Sequence, residues 1–255
     1  LNADYSDPDV IRVGDCYYMV ASDFHFLGMQ ILKSEDMVNW RLIAQLYDRF
    51  DFPKWDTNER YAGGSWAPAI RYHNGKFWVF FCTPHEGLFM TNAENPEGPW
   101  APLTHVADVP KWEDPCPFWD EDGNAYLGRS IHGAGPIIIH RMSADGTKLL
   151  DEGRTVYTGP VAEGTKIHKK DGYYYLVYSL KGKGYYMYSK EPFSNWQLPE
   201  EPIIPCKSVP KAAIWNERLI FTGFNGNGGY AGTMTFMEAF VEKDGQLTYR
   251  WRISK

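Results

Sequence analysis

The sequence predicts an all-β protein, a five-bladed β-propeller, from three observations. A phrase of acid or small residue, apolar run, tight turn and aromatic strand recurs, starting at residues 7, 67, 114, 163 and 211. Four of the five copies carry an Asn-Gly, Asp-Gly or Gly-Asp turn, the short-range mark of a hairpin. No segment shows a strong helical period. A repeat near 50 residues made of short strands is the signature of a propeller, with one four-stranded sheet per blade.

The copies run in order along one domain spanning residues 1–255. Blade one is expected over about 7–48. Its first hairpin, Asp7 to Met19, leads into the turn-rich stretch Val20 to Gly28, a strand over Met29 to Ser34, and a turn from Ser34 that ends on Trp40. That turn phrase returns at Ser189 to Trp196 and more loosely at Asn92 to Trp100, so Trp40, Trp100 and Trp196 read as packing between blades. Asp48 to Ser65 is an insertion of mixed charge, and loops of this length are usually functional or mobile. Blade two, about 66–108, opens on Trp66-Ala67-Pro68. Blade three, about 113–159, contains the clearest copy, Asp114 to Leu127, in which Gly123 supplies the backbone freedom of the turn. Blade four covers about 162–204. Blade five, about 209–251, holds the weakest copy, Lys211 to Phe221, followed by the glycine-rich stretch 223–232 and a strand pair around Asp244-Gly245.

Composition narrows the function. Aromatic residues make up 16% of the chain, suited to strands and to flat sugar-binding faces. The net charge of -6 argues against a nucleic-acid partner, which would require a basic face. No run of about 18 apolar residues is present to cross a membrane. Cys16, Cys82, Cys116 and Cys206 form no C-x-x-C pair, so they read as buried free thiols rather than as a zinc site or a disulfide framework. The chain opens Leu1-Asn2-Ala3 with no signal-like apolar region, which leaves the compartment, cytoplasmic or secreted, open.

The first strand of each propeller blade lines the central channel. The mouth position of the five copies is occupied by Asp7, Ala67, Asp114, Glu163 and Lys211, so three carboxylates converge on one funnel. A single Asp before Pro is usually a turn residue. Three acids at equivalent places are harder to explain by stability, because like charges held close oppose one another's ionisation. The neighbouring acids Asp4, Asp9, Glu113, Asp120, Glu121 and Asp122 read as solvated or turn-forming. Two facing carboxyl groups are what glycoside hydrolysis requires: one protonates the leaving oxygen, the other activates water or attacks carbon. Trp66, Phe24 and His25 are candidates for the sugar face. Arg12, Arg71 and Arg129 are candidate sources of charge or hydrogen bonds.

The motifs at Tyr5 to Asp15, Trp66 to Tyr72, Asp114 to Gly123, Met142 to Gly153, and Glu163-Gly164 with Lys169 to Tyr175 resemble glycoside hydrolase family 43 in its β-xylosidase and α-L-arabinofuranosidase branch. The likeness covers about residues 1–190 and leaves the fifth blade atypical. It implies hydrolysis of xylosyl or arabinofuranosyl linkages with inversion of configuration. It implies Asp7 as general base, Glu163 as general acid, and Asp114 as the residue that orients the acid and tunes its pKa. An inverting pair stands roughly 6.5–9.5 Å apart to admit a water. The resemblance requires no cofactor for the chemistry. It allows a structural central ion such as calcium, although the blade-five His that would support one is not found, as no His follows His168. The expected partner is an oligosaccharide or polysaccharide. Two alternatives stay open: a carbohydrate-binding propeller with little or no turnover, and a related propeller enzyme with a carboxylate nucleophile.

Overall fold

In a computed structural model, residues 5–50, 63–202, 210–215, 218–225, 233–242 and 244–251 are described. Asp4, Cys206, most of the 48–65 insertion and most of the glycine-rich stretch lie outside them, as does the side chain of Lys211. Among the described residues every regular element is a β-strand, and no helix is long and apolar enough to cross a membrane.

The strands fall into antiparallel sheets in chain order. The first holds β1 (Asp9–Val13), β2 (Cys16–Val20), β3 (Gln30–Ser34) and β4 (Arg41–Gln45). The second holds β5 (Trp66–His73), β6 (Lys76–Thr83), β7 (Gly87–Ala93) and β8 (Thr104–Ala107). The third holds β9 (Trp112–Trp119), β10 (Ala125–Ile131), β11 (Ile137–Met142) and β12 (Arg154–Tyr157). The fourth pairs β13 (Ala162–Lys170), β14 (Tyr173–Leu180) and β15 (Lys183–Ser189). The last pairs β16 (Pro210–Trp215), β17 (Arg218–Asn225), β18 (Thr233–Val241) and β19 (Leu247–Trp251). Each sheet is a meander, and the leading strands β1, β5, β9 and β13 lie beside one another in that order, a β-propeller arrangement.

Turn chemistry fixes the hairpins that begin these sheets. Asn74-Gly75 and Asp171-Gly172 both hold two successive positive φ angles, 48° and 75°, and 50° and 78°. That is the pair of left-handed residues which matches the twist of a two-residue hairpin. The core lies between sheets. Val20, Ile31, Ile70, Val79 and Phe81 pack the first sheet on the second. Phe80, Leu88, Met90 and Leu127 pack the second on the third. Cys116, Ile139, Ile167, Leu176 and Met187 pack the third on the fourth. Trp100 and Trp196 sit partly buried at the margins of the first and last of these clusters, in the inter-blade packing role expected of them, whereas Trp40 packs against Val10, Met19 and Leu32 of its own sheet. Cys82 and Cys116 are buried free thiols, and Cys16 is a partly buried one.

Candidate active site

The leading strands share one irregularity. In the third sheet Cys116 pairs with Gly128 and Glu113 with Ser130, so Asp114 and Pro115 together face Arg129 alone. Ala67 and Pro68 face Phe81 in the second sheet, and Gly164 and Thr165 face Tyr178 in the fourth. In the first sheet Asp9 pairs with Val20 while the Ser22 N–H donates to the Ser6 carbonyl, leaving Asp7 and Pro8 against Ala21. Each is a β-bulge, a device that bends a strand and re-aims side chains, often beside active sites. The first bulge residue is left-handed every time: φ is 50° at Asp7, 41° at Ala67, 52° at Asp114 and 74° at Gly164. Asp enters this region more readily than most residues, and glycine does so freely.

This register corrects the sequence alignment by one residue. The counterpart of Asp7 and Asp114 on β13 is Gly164, and Glu163 matches Trp66 and Glu113, the residues just before their bulges. The shift escapes sequence reading because a proline marks the second bulge position at residues 8, 68 and 115, while Thr165 stands there in the fourth copy.

Asp7, Phe24, Trp66, Ala67, Glu113, Asp114, His132, Glu163 and Gly164 line one cleft of about 200 Å³. The three expected acids and two of the three expected sugar-face residues are therefore brought together. His25 is not: it lines a neighbouring hollow with Tyr5, Leu27 and Gln30, because the loop after Asp23 turns it away while Phe24 borders both spaces. Glu113 is a second correction. It is buried, 7% exposed, rather than solvated, and its Oε2 lies 3.0 Å from Nδ1 of His132. Neither residue was singled out from sequence for this cleft; the signal for Glu113 was its place one before the bulge.

Serines anchor the acids. Ser22 Oγ donates to Asp7 Oδ2 at 2.9 Å and accepts from the Ala67 N–H at 2.8 Å, tying the first bulge to the second. Ser130 Oγ donates to Asp114 Oδ2 at 2.9 Å. The same oxygen accepts the Gly164 N–H at 2.7 Å, so Asp114 holds the backbone immediately after Glu163. The aromatic walls are set by a second device. Both carboxylate oxygens of buried Asp23 accept backbone N–H groups, those of His25, Leu27, Gly28 and Met29, which shapes the loop bearing Phe24. Asp23 also bridges Ser65, the residue before Trp66, through reciprocal backbone bonds of 2.8 and 3.0 Å.

Beneath the cleft lies an ionic cluster. Asp9 is 1% exposed, not solvated; its Oδ2 accepts the Ile70 N–H at 2.9 Å and pairs with Arg71 Nη1 at 2.7 Å. The fully buried Lys166 places Nζ 4.0 Å from that oxygen and 3.3 Å from the Pro68 carbonyl. Arg71 also reaches Cys116 Sγ at 3.0 Å, and Arg129 stacks on Trp112 at 3.6 Å, so these arginines are used in the fold rather than in the cleft. Arg12 pairs with Asp15 at the surface. Among the described residues no group of three or more His, Cys, Asp or Glu side chains is placed to hold a metal ion, and the fixed cations Lys166 and Arg71 sit among the leading strands. No chemical step is assigned to a central ion.

Together these features define a β-propeller whose leading strands present clustered carboxylates and aromatic rings in one cleft, an arrangement suited to acid–base chemistry on a sugar. The chain belongs to the glycosyl hydrolases family 43, whose sequence pattern matches residues 1–217. It is 69% identical over 179 residues to a "Putative beta-xylosidase" of Xylanibacter ruminicola, covering 70% of this chain and 35% of that protein. It is 38% identical over 192 residues to a beta-xylosidase of Formosa agariphila, covering 69% of this chain and 32% of that one. The chain thus spans about a third of the length of these curated relatives. The structure of a xylan beta-1,4-xylosidase from Bacillus halodurans superposes with a TM-score of 0.80 at 24% identity, over 97% of this chain and 55% of that one, a likeness of fold.

Proposed function

We propose that the protein is a glycosidase that hydrolyses xylosyl or arabinofuranosyl linkages of plant oligosaccharide or polysaccharide by an inverting mechanism. The observation that carries this reading is the meeting of Asp7, Asp114 and Glu163, from three different sheets, in one cleft walled by Trp66 and Phe24. The names of the two relatives favour the xylosyl linkage. In this reading Glu163 protonates the departing glycosidic oxygen, and its exposed side chain can meet substrate from solvent. Asp7, held by Ser22, takes a proton from water as that water attacks the anomeric carbon from the opposite face. Asp114 orients the acid through its bond to Gly164. The products are the free sugar of inverted configuration and the released alcohol.

The ring itself belongs to the proposal: five blades over about 7–48, 66–108, 113–159, 162–204 and 209–251 in one domain. Contacts of β16 with both β13 and β1 support its closure. The test is a panel of aryl β-xylosides and α-L-arabinofuranosides with the parent and Glu163→Gln. The variant is expected to lose at least about a hundredfold in kcat on substrates with poor leaving groups. Equal rates for variant and parent would remove Glu163 from the chemistry. Initial retention of configuration, followed by proton NMR, would exclude inversion.

A further inference from the structure

Two residues at the cleft have no part in the mechanism above: Glu113 and His132. His132 follows β10 and is fixed through its backbone, with its N–H donating to the Lys111 carbonyl at 2.8 Å and the Ala134 N–H closing the next turn on Ile131. Its ring is held from two sides. Glu113 Oε2 takes Nδ1 at 3.0 Å, and Trp66 lies against the ring at a centroid distance of 5.2 Å and an angle of 60°. Yet 58% of the His132 side chain is exposed, so the ring is positioned without being packed away.

The chemistry of the pair settles which atom faces a ligand. An ionised carboxylate only accepts hydrogen bonds, so with Glu113 ionised its partner nitrogen, Nδ1, carries the hydrogen. In the neutral imidazole Nε2 is then an acceptor, and the bond on the other nitrogen holds that tautomer in place. No hydrogen bond to Nε2 is made among the described residues. An aromatic face beside a fixed acceptor matches a sugar ring, which presents apolar C–H groups on its face and hydroxyl donors at its edge.

We propose that His132 is a substrate-binding residue that accepts a hydrogen bond from a hydroxyl of the glycosyl unit stacked on Trp66, with Glu113 as its positioning residue. The proposal rests on the glycosidase reading for its substrate class, and it adds a recognition group to the three acids. Glu113 thereby differs in role from Glu163, its counterpart one sheet away: the same place before the bulge serves binding on β9 and proton transfer on β13.

The test uses two readouts. Calorimetric titration of xylobiose and of arabinobiose into Glu163→Gln and into Glu163→Gln/His132→Ala measures binding without turnover. The added His132→Ala change is expected to weaken binding by roughly tenfold, the worth of one hydrogen bond. In the hydrolytically competent background, His132→Ala is expected to raise KM about tenfold with kcat held within about threefold, and to leave Tm within about 2 °C. Glu113→Gln retains an oxygen to accept Nδ1–H and should stay within about threefold of the parent in KM, while Glu113→Ala should match His132→Ala. Unchanged Kd and KM in His132→Ala, or a loss in kcat alone, would overturn the assignment. A parent that hydrolyses nothing while His132→Ala still weakens binding would sink the glycosidase reading and keep this one. An active parent silenced by Glu163→Gln but indifferent to His132→Ala would do the reverse. Failure of both sugars to bind would defeat both.

Discussion

Removing the Asp9 carboxylate is the perturbation whose consequence can be worked most directly from the structure. Asp9 is 1% exposed and faces two cations, Arg71 at 2.7 Å with a side chain 14% exposed and Lys166 at 4.0 Å with none exposed. Its Oδ2 also satisfies the Ile70 N–H. In Asp9→Ala the cations keep some neutral partners, the Ile70 carbonyl and Cys116 Sγ for Arg71 and the Pro68 carbonyl for Lys166, but they lose their shared counter-charge. Breaking a buried pair by deleting one partner destabilises by about 3–5 kcal/mol, because the remaining charge stays desolvated. For a chain of this size that is a fall in Tm of about 6–20 °C. Asp9→Asn keeps an acceptor for Ile70 and should fall between the variant and the parent. Asp15→Ala breaks only the surface pair with Arg12, at 3.5 Å, and should move Tm by less than about 2 °C. Thermal unfolding followed by near-UV circular dichroism decides the matter. A Tm for Asp9→Ala within about 2 °C of the parent would mean that the ionic cluster does not hold the leading strands together.

Two further outcomes follow from buried carboxylates elsewhere. Burial pushes the Asp120 carboxyl up, but hydrogen bonds from Lys169 and Tyr174, the Glu121 N–H and the charge of Lys169 outweigh it and hold the group below its ordinary value. A depressed folded value means the stabilisation is fully present above the unfolded carboxylate value of about 3.9 and is lost as pH falls through the folded one. The Tm gap between the parent and Asp120→Asn should therefore be constant from pH 7 to 5 and narrow as pH drops below about 4; a gap unchanged between pH 5 and pH 2 refutes the linkage. Asp23→Ala strips the acceptor from the N–H groups of His25, Leu27, Gly28 and Met29 and should destabilise by about 2–5 kcal/mol at net hydrogen-bond values. Because that loop carries Phe24, KM for an aryl pentoside should rise as well; an unchanged KM would show that Phe24 is placed by something else.

How far the sequence discloses this protein depends on what kind of signal each feature leaves. The propeller was legible because its hairpins are written in local chemistry: Asn74-Gly75 and Asp171-Gly172 need only their own backbone freedom, and both adopt the turn they announce. Asp7 and Asp114 were legible for a similar reason, since each stands directly before a proline near the start of a leading strand. Asp9, Glu113 and His25 leave no such signal, because nothing local distinguishes an acid that meets two cations or a histidine ring from one that meets water, or says which way a loop turns His25. Asp9 finds Arg71 and Lys166 across 62 and 157 residues of chain, pairings that exist only once separate sheets are side by side.

The bulges explain why an acid of the ionic cluster and an acid of the cleft can share so short a stretch. On β1 and on the segment before it, Asp7 and Asp9 are two residues apart, and in a regular strand they would point to the same face. The extra residue at the bulge breaks that alternation: Asp9 is turned into the cluster with Arg71 and Lys166, and Asp7 borders the cleft with Asp114 and Glu163. The left-handed backbone at residue 7 is thus the feature that separates the two roles. The same bulge on β9 aims Asp114 at the chain that follows Glu163, while Glu113, one residue earlier, turns to His132. A carboxylate's place in this fold is set by its position relative to the bulge: Asp7 borders the cleft, and Asp9, two residues on, lies in the ionic cluster.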